Sequence, residues 1–387
     1  MTRRAVVVGV GHYLPERIVP NQEFEKTLDT SDHWIRSRSG IERRHFAAPD
    51  ETTSDMAIRA ARAALSDAGL SAGDIDAVIV ATSTADLTFP SAATMVQAGL
   101  GMTCGFAFDI QAVCAGFVYA LANANALIVS GQARRILVIG AETFSRILDL
   151  TDRATCVLFG DGAGALVLEA QEGRGTTADR GILSVDLHAD GRHKDLLYVD
   201  GGVSTQSTGF LRMEGNQVFR HAVEKLAATA EAALAKAGLG SGDVDWIVPH
   251  QANIRIIAGT ARKMGLPMEK VVVTVQDHGN TSAASIPLAL CEAVEEGRLE
   301  SGDHVVLVGF GAGLTWAAAV LHWQPEEAAE EAIRAEDWPL PASLFRPVTQ
   351  VRNAVWSTQV AARARLQDAA MAAMAPINAW QRRLRGD

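Results

Sequence analysis

An internal repeat constrains the fold of this chain more than any other feature of its sequence. The segment AALSDAGLSAGDIDAVIV, which begins at Ala63, returns in similar form as AALAKAGLGSGDVDWIVP from Ala232, an offset of 169 residues. The same offset relates RILVIG, from Arg135, to HVVLVG, from His304. Two matches at one offset indicate an ancient duplication. The sequence therefore predicts two similar halves, residues 1–170 and 171–323.

Each half alternates helical segments with apolar strands. In the first half a helix ends at Ala68, directly before Gly69, a residue typical of the position after a helix. The strand predicted over residues 75–80 is apolar without alternation, as expected when both of its faces are covered. Alternating helices and strands predict an α/β fold. Two such halves, stacked, predict a layered α-β-α-β-α arrangement.

Composition excludes several classes of protein. Of the 387 residues, 48% are hydrophobic and 21% charged, which is typical of a globular chain. The net charge of −10 argues against a nucleic acid as the main partner. Four cysteines without metal-ligand spacing predict a reduced, cytoplasmic protein with no metal site. VVVGVG near the start lacks the third glycine of a dinucleotide-binding loop, because Leu14 stands there.

Cys114 lies where a strand is predicted to pass into a helix. Residues 106–110 are typical of a buried strand, residues 111–116 of a turn, and a helical pattern of apolar residues begins at Phe117. Unpaired N–H groups at a helix N-terminus favour the thiolate form of a cysteine, which is the reactive one. A cysteine among small residues is also a common core residue. From this segment alone both interpretations stay open.

His250 and Asn280 come from the second half. His250 ends a predicted strand, at the position where the repeat places Ala81 in the first half, and Asn280 precedes a helix predicted over residues 286–294. The repeat also sets the Asn280 loop opposite the Cys114 loop, so we expect the three side chains to converge. The alternatives are a polar residue at a strand end for His250 and a helix cap for Asn280.

Four motifs carry a resemblance to a known family. VCAGF, PHQANIR, GNTSAAS and GFGAGLTW occur in that order and resemble the motifs of 3-oxoacyl-[acyl-carrier-protein] synthase III, a family of the thiolase superfamily, over residues 3–323. The resemblance implies a thiolase fold and a catalytic triad of Cys114, His250 and Asn280. It also implies an oxyanion hole formed by the N–H groups of Cys114 and Ala312. The second cysteine of thiolases proper is missing from residues 309–316.

The implied reaction is a decarboxylative Claisen condensation. An acyl-CoA would acylate Cys114, and malonyl-acyl carrier protein would lose CO2 to give an enolate that attacks the acyl group. No cofactor is implied. The alternatives are a specialised acyltransferase or condensing enzyme of secondary metabolism on the same fold, and a non-catalytic scaffold that binds acyl groups or carrier protein. The sequence does not predict the identity of the acyl donor.

Further positions take a binding role from the same resemblance. Those that match CoA contacts are Thr30, Trp34, Arg38, Arg153 and Asn253. Three arginines, Arg220, Arg255 and Arg262, resemble a patch that would attract an acidic carrier protein. Phe89 matches a residue that reaches the acyl pocket of a dimer partner, so a homodimer is expected. From the residues alone, Trp34 and Arg38 are also an ordinary i,i+4 helix pair, and the arginines are also ordinary surface residues.

Residues 324–387 extend beyond the family pattern, which ends near His322 and Trp323. Residues 325–337 are acidic and rich in Ala and Glu, whereas a helix predicted from Val348 is Ala-rich and ends in a basic segment. Its apolar face is too weak for a strong membrane anchor. We therefore expect an acidic linker and a helix that docks on the enzyme or its dimer partner rather than on an anionic membrane.

Overall fold

The computed structural model describes residues 2–323. Met1 and residues 324–387, with the linker and helix expected there, lie outside the described residues. In chain order the described strands are β1 (Thr2–Tyr13), β2 (Arg17–Pro20), β3 (Arg43–Phe46), β4 (Ala77–Ala81), β5 (Phe106–Ile110), β6 (Arg135–Glu142), β7 (Gly162–Gly173), β8 (Gly181–Ala189), β9 (Leu197–Val199), β10 (Leu211–Met213), β11 (Trp246–Pro249), β12 (His304–Gly311) and β13 (Thr315–His322).

The described helices alternate with these strands, as the sequence pattern predicts. They are α1 (Asn21–Glu25), α2 (Asp32–Ser39), α3 (Thr53–Asp67), α4 (Ala92–Gly99), α5 (Gly116–Val129), α6 (Gly215–Ala237), α7 (Ile254–Lys263), α8 (Val275–His278) and α9 (Ser285–Glu295). Within residues 2–323 no helix is long and apolar enough to cross a membrane.

Two large sheets form the centre of the fold. The first has the strand order β1-β7-β6-β4-β5 and the second β11-β12-β13-β8. β4 is parallel to β5 and β6, and β11 is parallel to β12, while the remaining pairs in both sheets are antiparallel. All strands of the first sheet precede residue 174 and all strands of the second follow residue 180. This separation supports the proposed division into halves near residue 170.

Helices cover both sheets in five layers. α5 and α9 contact strands of both sheets and lie between them, whereas α3 and α4 pack on the first sheet and α6 on the second. The inner position of α5 explains its apolar composition, because Phe117, Leu121 and Ile128 are all fully buried. The predicted α/β fold, the thiolase fold with layered halves, is confirmed.

The repeat offset reappears in the elements themselves. A short 3-10 turn over Ala72–Asp74 has its counterpart in Ser241–Asp243, and another over Val113–Ala115 has its counterpart in Ser282–Ala284. The strand predicted over residues 75–80 begins two residues later, because Ile75 still ends the first of these turns. Gly69 has a φ of +63° and follows Ala68, the C-cap of α3, as expected for a glycine after a helix.

One sequence expectation about the first sheet is wrong. Residues 106–110 were expected to form a buried strand, but β5 is an edge strand with β4 as its neighbour, and the Phe106 side chain is 38% exposed. The reason is the strand order, which leaves the outer edge of β5 without a neighbouring strand among residues 2–323. An apolar strand looks the same in sequence whether its own chain or another covers it.

Candidate active site

Cys114 lies in the 3-10 turn Val113–Ala115, between β5 and α5. Val113 has a φ of +49°, an unusual value for a β-branched residue and a mark of a tightly determined turn. The Cys114 side chain is 3% exposed. Burial raises the pKa of its thiol to about 12, although a hydrogen bond with Ser282 lowers it. Desolvation of the buried sulfur therefore favours the neutral thiol and opposes the thiolate expected from the helix N-terminus.

The corresponding turn of the second half packs against this one. Ser282 is the repeat counterpart of Val113 and has nearly the same φ, +51°. The Cys114 Sγ donates a hydrogen bond to the Ser282 Oγ over 3.4 Å. The duplication thus brings two equivalent strained turns face to face, one with the thiol and one with a hydroxyl.

Cys114, His250 and Asn280 all line one cavity of about 1760 Å³. In the chain, Cys114 lies more than a hundred residues before His250 and Asn280. The three side chains meet because the two equivalent loops share the space between the sheets. The convergence expected from the repeat is what the structure has. The individual catalytic roles remain a proposal.

His250 follows β11, and its backbone N–H donates to the carbonyl of Val308 over 2.8 Å. Its Nδ1 lies 2.6 Å from the Ser285 Oγ, which also accepts the N–H of Gln251 over 3.4 Å. When the serine donates its proton to Nδ1, the ring proton lies on Nε2. Burial lowers the pKa of His250 to about 3, so the imidazole is neutral and can donate from Nε2.

Asn280 is held by both its backbone and its side chain. Its N–H donates to Leu158 over 2.8 Å, and its carbonyl accepts from Gly160 over 3.0 Å. Its Oδ1 accepts the N–H of Ser282 over 2.9 Å. The amide oxygen thus binds the first residue of the 3-10 turn, whereas the N-cap of α9 is Ala284, so Asn280 is not the cap of that helix. The amide nitrogen can donate to a ligand in the cavity.

Strand β12 presses directly on the Cys114 turn. A Cβ added to Gly311 would lie 2.6 Å from the Ala112 carbonyl oxygen and 2.9 Å from the Cys114 nitrogen. The Thr315 Oγ1 donates to the same Ala112 carbonyl over 2.9 Å, and Ala312 lines the cavity beside Cys114. The two N–H groups expected to form an oxyanion hole therefore come from loops that touch each other.

This contact yields a testable expectation for Gly311→Ala. The new methyl group would force the Cys114 turn to shift, which should cost about 1–3 kcal/mol of folding stability and slow acylation of Cys114. Gly242→Ala is the matched control, because nothing lies within 4 Å of its added Cβ. Thermal unfolding and single-turnover acylation measure both effects. An unchanged Gly311→Ala enzyme would mean that this close approach does not position Cys114.

The residues expected to contact CoA divide into two groups. Trp34, Arg38 and Asn253 line the cavity with Cys114. Arg153 lies outside the cavity lining but places its guanidinium 5.2 Å from the centre of a Trp34 ring, and Arg38 does so at 5.7 Å. Thr30 is half-buried, and its Oγ1 has no hydrogen-bond partner among the described residues. Trp34, Arg38 and Arg153 together form a cationic and aromatic cluster that borders the cavity.

Asn253 has a structural role that sequence reasoning missed. It is the N-cap of α7, where its Oδ1 accepts the N–H of Arg255 over 2.8 Å. Its Nδ2 donates to the carbonyl of Arg38 over 3.1 Å. Asparagine is a favoured cap residue, and its place directly before IRIIAGTARK was the available signal. Contact with a pantetheine arm would therefore compete with, or add to, these two bonds.

The three arginines of the expected carrier patch are exposed on adjacent helices. Arg220 lies on α6, and Arg255 and Arg262 lie on α7, which packs against α6. Arg255 also lies over the ring of Phe219, 5.5 Å from its centre. Within residues 2–323 none of the three forms an ion pair with a carboxylate.

Phe89 stands apart from the Cys114 cavity of its own chain. It lies between β4 and α4 and is 82% exposed, whereas the neighbouring Leu87 and Thr88 line the cavity. Most of its aromatic ring is left uncovered by the described residues of its own chain. Its position is thus compatible with a role in a second subunit.

Three polar residues near Cys114 carry no role in the sequence interpretation. Ser282 and Ser285 bind Cys114 and His250, and Glu142 is a fully buried carboxyl that accepts a hydrogen bond from Ser282. The signals were present. Both serines belong to the motif GNTSAAS, and Glu142 is an acidic residue at the end of an apolar strand. An ionisable side chain that is buried at the end of an apolar strand needs a hydrogen-bond partner, because burial of an unpaired charge is costly.

Known proteins of one family are similar to this chain. A family profile described as 3-oxoacyl-[acyl-carrier-protein (ACP)] synthase III matches residues 108–191, and the profile of its C terminal matches residues 234–323. The beta-ketoacyl-[acyl-carrier-protein] synthase III of Ruegeria pomeroyi is 79% identical over 323 residues, 84% of this chain and 100% of that protein. Both profile matches lie within the described part of the chain.

Solved structures are similar over the same region. The 3-oxoacyl-(acyl carrier protein) synthase III of Pseudomonas aeruginosa PAO1 superposes with a TM-score of 0.78 at 45% identity, covering 83% of this chain and 98% of that one. The priming beta-ketosynthase of the R1128 polyketide biosynthetic pathway superposes with a TM-score of 0.78 at 38% identity, covering 84% and 98%.

Proposed function

Because the chain belongs to the 3-oxoacyl-[acyl-carrier-protein] synthase III family, we propose that it condenses an acyl-CoA with malonyl-acyl carrier protein. The products are 3-oxoacyl-carrier protein, CO2 and free CoA. One observation carries the proposal: a buried thiol shares a single cavity with two neutral hydrogen-bond donors, His250 and Asn280. A thiol can hold an acyl group, and two donors can stabilise the charge of a thioester enolate.

The reaction has two halves. In the first, the Cys114 sulfur attacks the thioester carbon of the acyl-CoA, and the N–H groups of Cys114 and Ala312 bind the oxygen that becomes negative. In the second, malonyl-carrier protein loses CO2. The electron pair left behind forms an enolate whose oxygen accepts from the Nε2 of His250 and the amide nitrogen of Asn280. The enolate carbon then attacks the acyl-Cys114 thioester and expels the sulfur.

Mass spectrometry of the intact protein tests this proposal. We expect one acyl group on Cys114 after exposure to a member of a panel of acyl-CoAs from acetyl to long-chain. Addition of malonyl-carrier protein should then remove the label with release of CO2. A protein that binds the panel without forming a covalent adduct would be a scaffold, and the proposed reaction would be wrong.

The similarity to the R1128 priming synthase supports a second candidate, a condensing enzyme of secondary metabolism on the same fold. Both functions would use the same three residues. They differ in the acyl group and in the carrier protein that accepts it, so the labelling panel also distinguishes them when it is repeated with carrier proteins of both kinds. Preference for a polyketide carrier would favour the second candidate.

The patch formed by Arg220, Arg255 and Arg262 is proposed to attract the acidic carrier protein. Reversing the charge in Arg255→Glu should raise the KM for malonyl-carrier protein about fivefold, an effect of roughly 1 kcal/mol that shrinks at high salt. The KM for acyl-CoA should change much less. Arg174→Glu is the matched control, because Arg174 follows β7 at the end of the first sheet away from Cys114. An equal loss with a small malonyl thioester would indicate a damaged active site instead.

A homodimer is part of the same proposal. The uncovered edge of β5 and the exposed Phe89 support an interface at this end of the first sheet, where Phe89 would reach the acyl pocket of the partner. The proposed location is the cytoplasm, which suits four unpaired cysteines and a CoA substrate.

A further inference from the structure

We propose that Glu142, acting through Ser282, accepts the proton of Cys114 during acylation and holds it until the sulfur is released. This inference rests on the acyl-Cys114 chemistry proposed above and adds a step to it. Glu142 is a positioning residue in this scheme, because it reaches the reacting sulfur through another side chain.

Three side chains form a continuous hydrogen-bonded path. The Cys114 Sγ donates to the Ser282 Oγ over 3.4 Å, and the Ser282 Oγ donates to the Glu142 Oε1 over 3.0 Å. Both bonds are buried, and both point in the same direction, from the thiol to the carboxylate. A proton can therefore move along the path without any change in the position of a heavy atom.

The path is fixed by the surrounding structure. The second carboxylate oxygen of Glu142 accepts from the Thr84 hydroxyl over 2.5 Å, and the backbone N–H of Ser83 donates to the same carboxylate over 3.1 Å. The backbone N–H of Ser282 is bound by Asn280. Ser282 and Glu142 are thus each held by at least one bond outside the path, and Oε1 faces the serine.

Glu142 is a better proton acceptor than the other candidate in the cavity. Burial raises the pKa of Glu142 to about 7, although its hydrogen bonds lower it, whereas burial lowers the pKa of His250 to about 3. The Nδ1 of His250 is also occupied by Ser285. Since the Cys114 thiol is held in its neutral form, attack on a thioester needs a base, and a buried carboxylate near pKa 7 suits neutral pH.

Other carboxylates in this region form hydrogen bonds with groups outside the path. Asp86, Asp109 and Asp161 each accept hydrogen bonds from groups outside the path, in α3, α4 and the segment after β6 respectively. His250 is neutral. The titration of Glu142 is therefore governed by its own burial and hydrogen bonds, with Cys114 as the other group that exchanges the proton.

The proton and electron pairs balance over the two half-reactions. As the Cys114 sulfur forms its bond to the acyl carbon, its proton passes to Ser282, and the Ser282 proton passes to Glu142. The CoA sulfur leaves with the electron pair of the broken thioester bond and takes a proton from water. When the enolate later expels the Cys114 sulfur, the proton returns from Glu142 through Ser282. One proton from water is consumed overall, as decarboxylation requires.

Alkylation of Cys114 by iodoacetamide tests the path without any acyl-CoA. Between about pH 5 and pH 9 the wild-type rate should rise and level off near the pKa of Glu142, about 7, because the carboxylate must be ionised to accept the proton. In Glu142→Gln and in Ser282→Ala the rate at neutral pH should fall about a hundredfold. It should then keep rising with pH, because the thiol must lose its proton to solvent.

The two variants should not add. Because each one interrupts the same path, the double variant should be about as slow as either single variant. Acetylation by acetyl-CoA, measured in a single turnover, should follow the same order. Asp161→Asn is the matched control, since Asp161 is another buried carboxyl that has no bond to Cys114 or Ser282 among the described residues. It should lose stability but keep the wild-type pH profile.

A wild-type rate and pH profile in folded Glu142→Gln would overturn the inference. If that variant does not fold, Ser282→Ala decides alone, because it leaves Glu142 and the other bonds to it in place. An unchanged profile in Ser282→Ala would likewise overturn the path. A wild type that is alkylated with the expected profile but is labelled by no acyl-CoA would instead contradict the proposed function and leave the proton path standing.

Discussion

Cys114→Ser should lower the condensation rate by at least about a thousandfold. The hydroxyl fits the space of the thiol, but it is a far weaker nucleophile than a cysteine sulfur at neutral pH. No acyl group should appear on residue 114 after exposure to the acyl-CoA that labels the wild type. Intact-protein mass spectrometry and a condensation assay measure the two effects.

Decarboxylation by the same Cys114→Ser variant is a control for its folding and for malonyl binding. His250 and Asn280 are unchanged, so Cys114→Ser should still release CO2 from malonyl-carrier protein. Cys291→Ser is a matched variant elsewhere, since Cys291 is equally buried on α9 but does not line the cavity. Substantial condensation by Cys114→Ser, or loss of labelling in Cys291→Ser with normal folding, would contradict the assignment of Cys114 as the nucleophile.

Removal of either enolate donor should slow decarboxylation about 10²–10³-fold, as found for single donors of an oxyanion site. His250→Ala and Asn280→Ala should therefore lose most of their CO2 release, while single-turnover acylation of Cys114 should change far less. The physical reason is that both donors face a charge that exists only after CO2 has left. Measuring the two half-reactions separately distinguishes these effects.

Matched variants separate this expectation from general damage. His322→Ala removes a half-exposed histidine at the far end of β13, and Asn123→Ala removes an exposed asparagine on α5. Both should keep wild-type rates in each half-reaction. If His250→Ala and Asn280→Ala lost acylation of Cys114 but released CO2 normally, the two residues would act in the first half-reaction and not on the enolate.

The repeat and the motifs were sufficient to predict the fold and the meeting of the three main residues. An offset of 169 residues placed Cys114 opposite the Asn280 loop, and the structure has 3-10 turns at the two equivalent positions. Strand ends were predicted less well, as the later start of β4 shows. Boundaries of this kind depend on local hydrogen bonds that an apolar pattern does not specify.

The state of the groups in the site could not be predicted in this way. Position before a helix favoured a thiolate at Cys114, whereas burial raises the pKa of the thiol to about 12. The exposed edge of β5 was likewise hidden by its apolar composition. Burial is a sum over neighbours from the whole chain, and no short window of sequence contains that sum.

By itself, then, the sequence determined the duplicated α/β architecture, the family and the three residue types that meet between the halves, because periodicity and motif order are properties of the chain. Only the tertiary structure decided that Glu142 reaches Cys114 through Ser282 and that Ser285 binds the ring of His250. The first of these paths joins side chains as many as 168 positions apart, and its bond lengths and directions follow from how the two halves pack.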